Sequence, residues 1–145
     1  MSSVVLHTGQ IQLASALTTI RLTLHVLAAA VWVGGQLVLA GLLPTVRSMG
    51  DDAPRRIAQA FGRLSWPAFW ILVVTGFWNY FAMAYKTATS SWTMAFGVKI
   101  LAVLVAGLGA YLHTKATSPK MRGLYAGLGT IGSIAALVLG VALAG

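Results

Sequence analysis

One long apolar stretch constrains the fold more than any other part of this chain. Residues 20–43 are almost entirely Leu, Val, Ala and Gly. Together with Thr18 just before them, the polar or half-polar side chains other than Thr23 fall within a stripe about 60° wide on one side of a helix. A helix that is apolar everywhere except for one stripe lies in lipid and turns that stripe toward other helices. The stripe consists of Thr18, Arg21, His25, Trp32 and Gln36.

The composition agrees with a membrane protein. Hydrophobic residues make up 58% of the 145 residues and charged residues only 8%, whereas a soluble domain carries about a quarter charged residues. A spanning helix needs about 20 apolar residues, so this length allows about four spans. We therefore predict an all-α fold, a single integral membrane domain of four transmembrane helices. The predicted spans cover about residues 20–43, 64–84, 92–113 and 123–144.

Missing residue types exclude several kinds of chemistry. The chain has no Cys, which excludes thiolate metal sites, disulfides and thiol catalysis. Its only carboxylates are Asp51 and Asp52 in one loop, which excludes paired-carboxylate catalysis and a carboxylate proton relay across the membrane. The net charge of +8 comes from basic residues in short loops beside apolar spans. There it indicates topology in a lipid bilayer and not a nucleic-acid partner.

The distribution of Lys and Arg predicts the orientation. The segments 44–63 and 114–122 share one side of the membrane, and the other side holds only Arg21 and Lys86. Cytoplasmic loops carry the excess of Lys and Arg, so both termini are expected outside the cytoplasm. The seven basic residues of the first side are Arg47, Arg55, Arg56, Arg63, Lys115, Lys120 and Arg122.

Three polar residues in different spans are expected at one depth in the outer leaflet. His25, Asn79 and Lys99 lie at similar distances from the outer ends of their spans, to within about one helical turn. A Lys within a span costs about 2.5–3.5 kcal/mol on insertion scales, so such a residue is a functional candidate. Arg21, Met83 and Met94 are expected just above this depth.

Each of these residues also has an ordinary structural interpretation. His25 could be a hydrogen-bonded interior residue, and Lys99 could extend its ammonium group to the outer interface. Methionines more often pack than bind metals. His113 is expected about 21 Å from Lys99, at the cytoplasmic interface and outside this site.

Prolines and glycines predict breaks and close packing. Pro44 and the turn at Gly50–Pro54 are expected to end the first span, and Pro67 predicts a kink in the second. In the last span, Gly123 and Gly127 form a small-xxx-small motif that predicts helix packing.

Short motifs occur in order along the first three spans. They are His25-x6-Trp32-x-Gly34-Gly35, then Phe61-Gly-Arg63-Leu-Ser65 with Val74-Thr75-Gly76, then Gly97-Val-Lys99-Ile-Leu. Over about residues 20–113 the chain resembles the copper-resistance D (CopD) family of bacterial inner-membrane proteins. It departs from that family at the end of the third span, where His113-Thr114 stands in place of Asn-Arg.

The resemblance implies copper transport or copper tolerance at the bacterial inner (plasma) membrane, with no reaction catalysed. Imidazole and thioether groups suit copper, particularly Cu(I). Lys99 fits this hypothesis poorly, because a cation disfavours a bound metal ion. The copper ligands implied on the outer side are His25, Met83, Met94 and His7.

The chain is also similar to a related family, the HemJ-type protoporphyrinogen oxidases, which are associated with b-type haem. That family pairs a first-helix His and Trp with a third-helix Lys; its Pro-Arg after the first-helix glycine is not matched closely here. This alternative implies a haem-dependent membrane oxidoreductase or an electron-transfer role, with His25 as axial ligand and Arg21 or Lys99 paired with a propionate. The candidate cofactor-binding residues are His25, Lys99, Arg21, Trp32 and Asn79.

The glycine-rich fourth span supports a third hypothesis. It contains no ionisable side chain, and its glycines suit close helix packing. The chain would then be a homo-oligomer or an accessory subunit of a larger membrane complex.

Overall fold

Four long helices account for nearly all of the computed structural model, which describes residues 14–84 and 88–144 except the side chains of Met83 and Ala84. Within these residues the fold is all-α, and each helix is long and apolar enough to cross a membrane. The predicted fold class is thus confirmed. Helix α1 covers Ala16–Ser48, α2 covers Ala53–Asn79 and continues as a π-helical turn at Tyr80–Ala84, α3 covers Ser90–Lys115 and α4 covers Pro119–Ala144.

The inward stripe predicted for α1 is confirmed. Arg21 and Trp32 are only 3% and 4% exposed, and the other three members of the stripe are half-buried. On the opposite side of the helix, Leu27 and Val38 are each 59% exposed. Large apolar side chains on an outer surface are expected where acyl chains surround the protein.

A π-helical turn at Ala30–Gly34 interrupts the regular phase of α1. The wider turn carries two adjacent side chains, Trp32 and Val33, into the interior. The Trp32 ring packs against Phe69 and Trp66 of α2, with centroid distances of 4.7 and 5.7 Å. We call the half of the bundle beside the α1–α2 and α3–α4 loops the lower half; this aromatic group lies near the middle of the bundle and forms its apolar core.

Pro44 does not end α1, contrary to the prediction. The helix continues through Pro44 to Ser48, and the chain turns at Gly50, whose φ of 127° suits a residue without a Cβ. Proline removes one backbone N–H, and a membrane helix tolerates this loss where neighbouring groups satisfy the freed carbonyl. Helix α2 likewise continues through Pro67.

The four helices form two antiparallel pairs, α1 with α2 and α3 with α4. The second pair is the more tightly packed. A Cβ built on Gly109 would lie 2.6 Å from the Gly129 nitrogen, and one on Gly132 would lie 2.8 Å from the Ala106 nitrogen. Close backbone contact between the two pairs is concentrated where the π-helical turn of α1 lies against α4.

The glycines predicted to pack α4 are the wrong ones. Gly123 and Gly127 are exposed, and no atom of another element lies within 4 Å of a Cβ built on either. Gly129 lies about 200° around the helix from Gly127, so the two residues occupy opposite faces. Helix α4 packs instead through Gly129 and Gly132, both of which are buried.

Candidate functional site

Side chains from the first three helices and a glycine of the fourth lie at one level in the upper half of the bundle, above the aromatic core. His25 of α1 is hydrogen bonded to Thr75 of α2. Lys99 of α3 lies at the same level, because its neighbour Gly140 is seven residues above Ser133 on α4, just as His25 is seven residues above Trp32, the hydrogen-bond partner of Ser133, on α1. Its Nζ atom lies beside Gly140 of α4, 3.2 Å from where a Cβ on that glycine would be. We call these four residues the His25 level.

The Thr75 hydroxyl determines which nitrogen of His25 carries a proton. Thr75 Oγ1 lies 2.6 Å from the Ile71 carbonyl oxygen, which can only accept, so the hydroxyl donates its single proton there. At 2.7 Å from His25 Nδ1, the same oxygen must therefore accept from an Nδ1–H group. The neutral imidazole then has a free lone pair on Nε2, the arrangement found in metal-binding histidines.

Arg21 and Asn79 lie one helical turn above the His25 level. Because His25 faces Thr75 in an antiparallel pair, Arg21, four residues earlier, is level with Asn79, four residues later. The side chain of Arg21 is 3% exposed, and neither its Nε nor Asn79 Oδ1 has a hydrogen-bond partner among the described residues. Leaving a buried polar group unpaired costs about 1–3 kcal/mol, so this turn carries an unmet donor and an unmet acceptor.

An aromatic stack lies at the upper end of the bundle. The ring of Phe96 is nearly parallel to those of Tyr80 and Trp92, with centroid distances of 4.7 and 5.5 Å. The Trp92 Nε1 donates a hydrogen bond to the Leu143 carbonyl oxygen at 3.2 Å. The stack joins α2, α3 and α4, and this contact was not predicted although all three rings lie near the outer ends of their predicted spans.

Trp32 lies apart from the His25 level. It comes seven residues after His25, about 10 Å farther down the bundle at 1.5 Å per residue. Its Nε1 donates to the Ser133 hydroxyl at 3.0 Å, and Gln36 Nε2 donates to the same oxygen at 3.3 Å. Ser133 in turn donates to the Gly129 carbonyl oxygen at 2.8 Å. These contacts tie α1 to α4 and give Trp32 a packing role.

The other candidate ligands do not join the His25 level. Met94 is 71% exposed on the outer surface of α3. His113 lies at the lower end, as predicted, where its Nδ1 is 2.9 Å from the Arg122 carbonyl oxygen. His7 and the side chain of Met83 lie outside the described residues.

Comparison with known proteins gives no relative. No protein-family model, curated protein or solved structure matches this chain. The chemistry of the His25 level and of the turn above it therefore carries the functional proposal.

Proposed function

We propose that this multi-pass membrane protein binds b-type haem through His25 and acts in electron transfer or as a membrane oxidoreductase. The observation that carries the proposal is the free Nε2 of His25, held in place by Thr75 on the other side of the ring. A histidine that donates one ring N–H to a neighbour presents its second nitrogen as a well-oriented ligand. Imidazole is an ordinary axial ligand of haem iron.

The charges around His25 support a ligand that is anionic at its edge. Lys99 lies at the same level and Arg21 one turn above, while both carboxylates of the chain belong to the lower α1–α2 loop. Two cations without an acidic partner are costly in a membrane interior. The propionates of haem would supply the missing negative charge through charge-assisted hydrogen bonds.

The residues of this chain would have distinct tasks in a haem protein. The bound haem supplies one-electron redox chemistry. His25 would hold the iron, and Thr75 would keep the ring in its orientation and protonation state. Lys99 and Arg21 would bind the carboxylates, and the aromatic stack at the upper end would restrict access of water to the site.

Copper transport or tolerance is the second candidate, and one observation favours it. A neutral imidazole with a free Nε2 also binds copper well. The described residues supply no group of three His, Cys, Asp or Glu side chains suited to a metal ion. Met94 points away from the site, and Lys99 and Arg21 would repel a bare cation.

The orientation belongs to the same proposal. Seven basic residues lie in or beside the two lower loops, against Arg21 near the upper end and Lys86 in the sequence between α2 and α3, outside the described residues. This asymmetry supports a cytoplasmic lower half, both termini outside, and a His25 level in the outer leaflet of the bacterial inner membrane.

The absorption spectrum of detergent-purified protein tests the proposal. We expect a Soret band after expression in cells supplied with a haem precursor, and its loss in His25→Ala. His113→Ala is the matched control, because that imidazole lies at the lower end with the Arg122 carbonyl oxygen as its partner. Metal analysis of the same samples measures their copper content. If the wild type contains stoichiometric copper and shows no Soret band, and His25→Ala loses that copper, the ligand is copper and not haem.

A further inference from the structure

The strongest unexplained feature outside the His25 level is the turn that holds Arg21 and Asn79. We infer that these two residues form a carboxyl-binding subsite for the ligand held at His25. The inference rests on the proposed function and adds to it the group that anchors the ligand's edge. It starts from a buried guanidinium donor and a buried amide acceptor, at one level, that have no partner in the described chain.

Arg21 has the chemistry of a carboxylate-binding residue. Its guanidinium group stays charged in proteins and offers a planar fork of donors that matches the two oxygens of a carboxylate. Its burial to 3% exposure means that bulk water does not solvate this charge. Asp51 and Asp52, the only acidic side chains, lie at the opposite end of the bundle and cannot reach it.

Lys99 is less well placed for the same task. Its ammonium group lies beside Gly140 on the α4 side of the site. Arg21 of α1 and Asn79 of α2, in contrast, lie level with each other, about 6 Å above His25 at 1.5 Å per residue. A ligand bound at His25 therefore reaches this subsite with a group that extends upward along the bundle axis.

Asn79 fits a carboxyl group in either of its protonation states. The unpaired Oδ1 can accept from a carboxyl O–H while Arg21 donates to the carbonyl oxygen. Rotation of the amide by 180° exchanges Oδ1 for the NH2 group, which then donates to an ionised carboxylate beside Arg21. An ordered water is the simpler occupant of the same space, and the test separates it from a carboxyl group.

The test compares haem b with its dimethyl ester, which retains the iron and the ring but carries no carboxyl groups. Both are titrated into the detergent-purified protein and followed by the Soret band. We expect the wild type to bind haem b at least about tenfold more tightly than the ester, the effect of one charge-assisted contact. Arg21→Gln should lower this preference about tenfold, to the part that Lys99 supplies. Arg55→Gln, which removes an exposed cation at the lower end, should retain it.

Asn79→Asp gives the buried Arg21 guanidinium group a carboxylate partner within the protein. The new carboxylate pairs with Arg21 and occupies the subsite, so the preference for haem b should fall as it does in Arg21→Gln, while the ester still binds through His25. A wild type that binds neither compound overturns the proposed function itself. Equal binding of both compounds by wild type and Arg21→Gln overturns the subsite alone, and leaves water as the partner of Arg21.

Discussion

His25 and Thr75 are joined by a 2.7 Å contact between Nδ1 and Oγ1, and the Thr75 hydroxyl is itself committed to the Ile71 carbonyl oxygen at 2.6 Å. One backbone carbonyl of α2 thus selects the tautomer of an imidazole on α1. The ring also lies against Gly76, 3.5 Å from where a Cβ on that glycine would be. This arrangement holds the His25 ring in place and leaves Nε2 as the nitrogen available to bind a metal ion.

Thr75→Val should weaken ligand binding at His25 without removing the ligand. Valine keeps the shape of threonine but loses the hydroxyl, and loss of such a supporting hydrogen bond costs about 10–100-fold in affinity. Thr75→Ser keeps the hydroxyl and should stay close to wild type. Haem titration measures the affinity, and the ¹⁵N chemical shifts of the ring report the tautomer. Unchanged ring shifts in Thr75→Val would contradict the assignment of the proton to Nδ1.

The inward faces of the helices could be predicted from the sequence. A span that is apolar except for one stripe has a single orientation that satisfies both lipid and protein neighbours. For this reason the inward stripe that contains His25 was predicted correctly. The similar heights of His25, Lys99 and Asn79 followed from their distances to the outer ends of the spans, and Asn79 lies one turn above the other two.

The π-helical turn and the role of Ser133 could not be predicted in the same way. The turn at Ala30–Gly34 depends on how Trp32 and Val33 pack against α2 and α4, whereas the sequence pattern assumes a constant helical period. A serine in a membrane helix can satisfy its hydroxyl with its own backbone four residues earlier, as Ser133 does with Gly129. Nothing in the sequence shows that it also accepts from Trp32.

The contact between α3 and α4 should be sensitive to a single methyl group. A Cβ on Gly109 would lie 2.6 Å from backbone nitrogen, so Gly109→Ala must separate the helices. Overpacking of this kind costs about 1–3 kcal/mol. The matched control is Gly127→Ala, where open space surrounds the Cβ and the better helix propensity of Ala gives up to about 1 kcal/mol in the other direction.

Unfolding of the two variants in detergent by a denaturing surfactant measures the difference. We expect Gly109→Ala to lower the free energy of unfolding and Gly127→Ala to leave it equal or higher. Equal destabilisation of both variants would mean that α4 packs through the face that carries Gly123 and Gly127.

Reporter fusions should place the lower loops in the cytoplasm. Fusions at Gly50 and Ser118 are expected to give the cytoplasmic signal, because seven Lys and Arg residues lie in or beside these two loops. A fusion after the last residue should give the periplasmic signal. A periplasmic signal at Gly50 or Ser118 would move the His25 level to the inner leaflet.

Lys99→Met discriminates between the two candidate ligands. The ammonium group lies at the His25 level and has no carboxylate in any span to pair with. A haem propionate would supply the missing charge, so the loss of this contact should weaken haem binding about tenfold. A copper ion gains from removal of a nearby cation, so copper binding should be unchanged or tighter.

The control for Lys99→Met is Lys115→Met. Lys115 lies at the lower end of the same helix, where its ammonium group is 5.7 Å from the centre of the Tyr111 ring. This variant should leave both haem and copper binding at wild-type values, which separates a local effect from a general loss of charge. If Lys99→Met also changes neither affinity, Lys99 extends its charge to the outer interface. The ligand at His25 then depends on Thr75 and on the turn of Arg21 and Asn79.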